Sequence, residues 1–133
     1  MTYLLDTNAC IRVIAGTSHL VAVRLARTRP SDVCVAAITR AELVFGAWRS
    51  SRSRANLAAI DAFLEPYECI PFDRAAADLY GRIRAGLASR GRPIGPNDLL
   101  IASIAVAGGF TVVTHNTREF TRVPGLHAED WET

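Results

Sequence analysis

Short apolar runs of strand character alternate with stretches of helical period along nearly the whole of this sequence. That alternation argues for a parallel sheet with helices covering both faces, because each parallel strand needs a crossover connection to reach the next. Residues 2 to 5 read as a short buried strand ending at Asp6, and 8 to 15 as a helix closed by Gly16. Residues 18 to 28 carry Leu20, Val23 and Leu25 at roughly helical spacing. Val33-Cys34-Val35-Ala36 is the second strand. Thr39 then opens a helix to about Ser50, and another follows from Ser53 or Arg54 to Leu64, ended by Pro66. Tyr67 to Ile70 is a third strand. Asp73 caps a helix over 74–89 whose face carries Ala76, Leu79, Tyr80, Ile83 and Leu87. A loop over 90–96 leads to a helix over 97–107 that stops at Gly108-Gly109. Thr111 to Thr114 is a fourth strand, and a short last strand falls around Leu126-His127. The expected class is α/β, a central parallel β-sheet flanked by α-helices, folded as one domain over residues 1–133.

Composition narrows the chemistry. Half of the residues are hydrophobic and 21% are charged, as in ordinary globular chains, and the net charge is only +2. All 15 cationic side chains are arginine, so any mechanism that needs a lysine is excluded. Arginine suits phosphate, whose oxygens its planar fork binds in pairs. Cys10, Cys34 and Cys69 include no C-x-x-C pair, which speaks against zinc. Each lies in or beside an apolar stretch, where cysteine serves as a small core residue, and a reducing cytoplasmic location fits. No signal peptide and no membrane-length apolar run is visible. His19 and His127 carry no evident chemistry, and His115 reads as solvent-facing. Trp48 and Trp131 read as packing residues. Arg49, Arg52 and Arg54 read as a solvated face.

Three carboxylates stand where the pattern places strand-to-helix junctions: Asp6 in Leu4-Leu5-Asp6-Thr7-Asn8, Glu42 in Ile38-Thr39-Arg40-Ala41-Glu42-Leu43, and Asp98 in Gly95-Pro96-Asn97-Asp98-Leu99-Leu100-Ile101-Ala102. In an open α/β sheet such junctions share one crevice at the carboxyl ends of the strands. Each also has an ordinary structural explanation. Asp6 suits a helix N-cap. Thr39-x-x-Glu42 has the form of a capping box. Asp98 follows an N-terminal proline and complements a helix dipole. What weighs against three separate caps is their combination with a fourth polar cluster, Thr114-His115-Asn116-Thr117-Arg118-Glu119-Phe120, again just after a strand. Carboxylates gathered in one crevice repel unless neutralised, and Mg²⁺ or Mn²⁺ prefers such oxygen ligands. A metal held by a few carboxylates, with positions open to phosphate oxygens, is apparatus for phosphodiester hydrolysis.

In order and spacing, these segments resemble the PIN-domain family, and within it the VapC-type toxins of bacterial toxin–antitoxin pairs. The ending Val123-Pro124-Gly125-Leu126-His127-Ala128-Glu129-Asp130-Trp131 is similar as well, so the resemblance spans nearly the whole chain. It implies a PIN fold and a Mg²⁺-dependent endoribonuclease, with Mn²⁺ able to substitute. It also implies inhibition by a cognate VapB-type antitoxin, homodimers that assemble further with that antitoxin, and RNA targets that are commonly transfer RNA. Gly91-Arg92-Pro93-Ile94-Gly95-Pro96 is most similar to the branch that cleaves initiator transfer RNA. Carried over by position, Asp6 and Asp98 match the principal metal-binding aspartates and Glu42 their acidic partner. Asn116 and Glu119 match outer positions of the catalytic set, with Glu119 where many relatives have aspartate. Thr114 and Asn8 match substrate-supporting positions.

Two rivals remain from the residues themselves. An aspartyl phosphatase or phosphoacceptor would use Asp6 as nucleophile, but it depends on a lysine, and the acid expected two positions on is Asn8. No phosphate-binding glycine loop of either common form is present. The other rival is a PIN scaffold that binds RNA or protein without cutting, whose mark would be missing acids.

Overall fold

The computed structural model describes residues 2–133. Its centre is a five-stranded parallel sheet in the order β3-β2-β1-β4-β5. The strands are short: β1 is Tyr3–Leu5, β2 Val33–Ala36, β3 Glu68–Ile70, β4 Thr111–Val113 and β5 His127–Glu129. In register, Leu4 stands beside Cys34 on one side and Val112 on the other. β1 is therefore the middle strand. The chain builds β2 and β3 outward on one side, then crosses back to build β4 and β5 on the other. The reversal falls between β1 and β4, and ligand sites of open parallel sheets lie at such a switch point, beyond the strands' carboxyl ends.

Successive side chains on a strand point to opposite faces, so each inner strand feeds two cores. Leu4, Cys34 and Val112 belong to one, with Ala76, Ile83 and Leu87 of helix α5 (Arg74–Ser89), Leu99, Ala102 and Ala105 of helix α6 (Pro96–Gly108), and Phe120. Leu5, Val33, Val35 and Val113 belong to the other, beneath helices α1 (Thr7–Ala15), α2 (His19–Ala26), α3 (Ala37–Arg49) and α4 (Ser53–Leu64), with Trp131 closing its edge. Trp131 is 3% exposed, with its ring edge-on to Tyr3 at 5.1 Å.

Helix ends follow the expected signals. Gly16 and Gly109 take the left-handed conformation (φ 72° and 69°), and their amides close α1 and α6 on carbonyls of the last turn. Asp73 caps α5 through the Ala76 amide. Four expectations need correction. Cys69 is exposed rather than packed, because β3 is an edge strand. Trp48 is 66% exposed on the outer side of α3, so it is not a packing residue. Thr39 does not open α3, which begins two residues earlier at Ala37, directly from β2. Part of the polar segment after β4 is the one-turn helix α7 (Thr117–Phe120), and a 3₁₀ turn at Pro30–Asp32 precedes β2. No single helix among the described residues is long and apolar enough to cross a membrane.

Candidate active site

Asp6 follows β1 immediately. Its amide donates to the Val113 carbonyl of β4 at 3.0 Å, so the two strands bordering the switch point hold it from both sides. Its Oδ1 accepts from the Ala9 amide at 2.8 Å, the N-cap bond that its position suggests. The Thr114 hydroxyl also bonds this carboxylate and accepts from the Asn116 amide at 2.9 Å. Thr114 is 1% exposed. It ties the turn after β4 to the acid after β1. Burial raises the Asp6 pKa, while the Thr114 hydroxyl, the Ala9 amide and Arg12 oppose the rise. Thr114→Val would take the hydroxyl away from the buried Asp6 carboxylate and from the part-buried Asn116 amide. Its expected cost is about 1–3 kcal/mol of stability, read from denaturant unfolding.

Glu42 does not cap its helix. With α3 starting at Ala37, it lies in the second turn, too far along to reach the first free amides. It turns instead toward α1 and α6. The Thr7 hydroxyl donates to Oε1 at 2.6 Å, and Asn97 Nδ2 donates to Oε2 at 3.2 Å. Thr39 is fully buried beneath, 3.1 Å from the same Thr7 hydroxyl. Thr7 and Asn97 thus belong to the site's polar frame, and sequence reasoning missed both. The Thr7-Asn8 and Asn97-Asp98 pairings were in view, but which member faces Glu42 depends on where three helices meet.

Asp98 comes into the crevice by a different route from the one its motif suggests. No strand precedes it. α5 and α6 run antiparallel, with the residues around Asp73 beside Gly108 and those around Leu87 beside Pro96, and loop 90–95 delivers Asp98 to the first turn of α6. Its carboxyl is pushed up to about 6, first by burial and then by the negative charges of Glu119, Asp6 and Glu42. The charges of Glu119, Asp6 and Glu42, from three other segments, are therefore felt at Asp98.

Glu119, on α7, is bound on both oxygens. The Gly95 amide donates to Oε1 at 2.6 Å and Asn116 Nδ2 donates to Oε2 at 3.0 Å. These bonds, the Gly95 amide first, hold its pKa below the usual glutamate value. A Cβ on Gly95 would stand 3.5 Å from Glu119 Oε1 and 3.8 Å from Asp98 Oδ2, so the loop backbone runs between the two acids. Arg122 NH1 adds a bond to the Pro93 carbonyl at 2.9 Å. α7 therefore grips loop 93–95 and sets the position of Asp98. Asn116 is exposed and serves Glu119. Asn8 is exposed on the first turn of α1, beside Thr114 and His115.

His115 faces solvent, as expected, with 58% of its side chain exposed. Its Nδ1 lies 3.0 Å from Asp130 Oδ2 and 3.3 Å from Glu132 Oε2. Among the described residues this trio is the group whose ligand atoms all come within 4.8 Å. Arg12 already pairs with Glu132, so a cationic partner is in place there. The four crevice acids are spread more widely, which suits a hydrated hard cation that takes one or two carboxylates directly and the rest through water.

A PIN-domain sequence profile matches residues 3–126. The chain belongs to the PIN-domain family. The tRNA(fMet)-specific endonuclease VapC of Shigella flexneri is 42% identical over 131 residues, 98% of each chain. Ribonuclease VapC2 of Rickettsia felis is 37% identical over 134 residues, 99% of each. Among solved structures, DNA-bound VapBC of Salmonella typhimurium superposes with a TM-score of 0.93 at 40% identity, covering 98% of both chains. This PIN domain is of the VapC type.

PIN-domain nucleases use divalent cations, and the crevice fits one on its own chemistry. Its donors are hard oxygens, and Asp98 carries repulsion that no lysine relieves. A test follows without any substrate. Asp98 has a folded pKa above its unfolded value, so the folded state binds more protons between about pH 4 and 6. The metal-free chain should therefore gain stability as pH falls from 7 toward 5. Below that window Glu119, whose pKa is lowered, loses its contribution and the trend reverses. Thermal melts in EDTA should show this rise. Added Mg²⁺ or Mn²⁺ should raise the melting temperature at pH 7 and flatten the pH dependence.

Proposed function

We propose that this VapC-type PIN domain, spanning residues 1–133, is a Mg²⁺-dependent endoribonuclease toxin that cleaves initiator transfer RNA and is silenced by a VapB-type antitoxin. The observation that carries the reading is the convergence of Asp6, Glu42, Asp98 and Glu119 at the sheet's switch point, with Asp98 raised first by burial and then by the charges of the other three. Relatives named as tRNA(fMet)-specific endonucleases support the substrate, and solved VapBC complexes support the partner. A cytoplasmic location follows from that role.

Asp6 and Asp98 are the residues that would hold the cation, with Glu42 completing the set directly or through water. Mn²⁺ fits the same oxygens. When bound, the metal supplies charge for the phosphate oxygens and lowers the pKa of water. The chain's own residues do the rest. Thr7 and Asn97 fix Glu42 so that its carboxylate keeps facing the crevice. Asn116 and Glu119 hold the loop that carries Asp98. The fixed acids repel phosphate from the crevice itself unless a cation is present, so seating the scissile phosphate there and cutting it share one requirement.

All four acids are in place, which weighs against a scaffold that only binds. The test uses an end-labelled transfer-RNA pool with the free chain and with its antitoxin complex. Discrete fragments from the free chain alone, traced to the initiator species, are expected. Equal cleavage of all transfer RNAs would overturn the substrate, and RNA binding without cleavage would overturn the enzyme.

A further inference from the structure

Among the described residues, only Arg12, Arg24, Arg29 and Arg40 of the fifteen arginines form ion pairs. The unpaired ones are not evenly spread. Arg82, Arg84, Arg90 and Arg92 are all exposed along the second half of α5 and the loop after it, and residues 79–97 contain no aspartate or glutamate. This stretch leads straight into α6 and Asp98. Arg118 on α7 is also exposed, and Arg122, two residues past that helix, bonds the Pro93 carbonyl. Arg82 and Arg90 line a separate groove with Ile83, Val106 and Pro124 on the other side of α5. Arg84, and Arg92 beside Pro93, are the cations next to the loop that positions Asp98.

Beside that loop is a groove of about 360 Å³ between the end of α5 and the start of α6, lined by Tyr80, Arg84, Leu87, Pro93, Ile94 and Pro96. Its walls are apolar, apart from two planar groups. The Arg84 guanidinium lies over the Tyr80 ring, 5.8 Å from its centre, and NH1 donates to the Tyr80 hydroxyl at 3.0 Å. An apolar slot with a tyrosine and an arginine in it, and Arg92 at its edge, is chemically matched to a flat ring attached to phosphate. Nucleic-acid single strands are held in this way, with bases on aromatic or guanidinium planes and the backbone on cationic side chains. The position matters as much as the chemistry. Four crevice acids repel the substrate's phosphates, so the attraction that brings RNA to the site has to come from beside it. The Arg49-Arg52-Arg54 run does not supply it. Arg49 lies seven residues beyond Glu42 along α3, roughly 10 Å further from the crevice.

We propose that this groove is a nucleotide subsite of the substrate RNA, in which Tyr80 and Arg84 seat an unpaired base next to the scissile phosphate while Arg92, beside Pro93 at the groove's edge, holds the adjoining backbone. The proposal rests on the chain acting on RNA, and its test separates binding from cleavage. The full chain is titrated into a fluorescent transfer-RNA pool in EDTA at several salt concentrations, and cleavage is followed separately in Mg²⁺. The variants are Arg84→Ala/Arg92→Ala, Tyr80→Leu and, on the far face, Arg49→Ala/Arg54→Ala, each checked for an unchanged melting profile.

For the Arg84/Arg92 pair, Kd and KM should rise roughly tenfold with kcat held, and the slope of log K against log salt should fall by about one, for the backbone contact of Arg92. Tyr80→Leu should weaken binding at an unchanged salt slope. The Arg49/Arg54 pair should match wild type. Wild-type Kd and slope in the Arg84/Arg92 pair would overturn the subsite, as would an equal loss in the far-face pair. RNA binding that is sensitive to Arg84 and Arg92 in a wild type that never cuts would support the subsite and overturn the nuclease instead.

Discussion

Asp98→Asn should abolish RNA cleavage and, in the absence of metal, make the protein more stable than wild type. The two effects have one cause. Asp98 is the acid whose charge is most opposed by its surroundings, lifted to about 6 by burial and by Glu119, Asp6 and Glu42. Replacing it with a neutral side chain of the same shape removes that repulsion and leaves the first turn of α6 intact. Under the proposed assignment, the cation also loses one of its two aspartates. Charge stabilisation by a catalytic metal is worth several kcal/mol in the transition state, so cleavage should fall on the order of 10³-fold or more. Thermal melts in EDTA and transfer-RNA cleavage in Mg²⁺ read the two effects side by side. A variant less stable than wild type in EDTA would mean that Asp98 is a structural acid, held by partners rather than opposed by them.

The second large effect is expected at a residue that touches the reaction only through its neighbours. Glu119→Ala removes the acceptor for the Gly95 amide and for Asn116 Nδ2. Loop 93–95 is then held to α7 mainly through Arg122 and the Pro93 carbonyl. Losses of this kind around a metal centre cost about 10- to 100-fold in metal affinity or activity. The signature is a Mg²⁺ requirement shifted to higher concentration, with cleavage partly recovered when Mg²⁺ is raised. Glu119→Gln is the informative companion, because it keeps the acceptor for Gly95 but replaces the second oxygen with a donor facing Asn116. It should fall between wild type and Glu119→Ala. A Glu119→Ala activity that no Mg²⁺ concentration improves would instead make Glu119 a direct participant.

Much of the frame is legible in the sequence because it is local. The strands at 33–36 and 111–113 and the helix ends at Gly16 and Gly109 depend on neighbouring residues alone, and they fall where the patterns put them. Asp6 is legible twice, as an N-cap and as a crevice acid, and in the structure the carboxylate caps α1 while facing the other acids. Glu42 shows where local reading misleads. Thr39-x-x-Glu42 has every residue of a capping box, but Ala36 passes directly from β2 into α3 with no intervening loop, so the box lies inside the helix. Its residues are then free to serve the site. Asp98 shows the opposite case. Its place at the crevice follows from the motif, but its route from a helical hairpin rather than from a strand depends on how α5 and α6 pack. The one turn of α7 is too short for any periodicity, and the exposure of Cys69 depends on β3 being an edge strand. Strand order, and with it the switch point, comes from long-range pairing that no segment encodes alone.

The central claim is that four acids at the switch point form a metal-dependent centre that cuts RNA. The most direct measurement is the initial rate of cleavage of an end-labelled transfer-RNA pool by the antitoxin-free chain, stripped with EDTA and then titrated with Mg²⁺. The expected result is no cleavage in EDTA and a saturable rise with Mg²⁺, giving discrete fragments. Equal fragment yields in EDTA and in Mg²⁺ would contradict it.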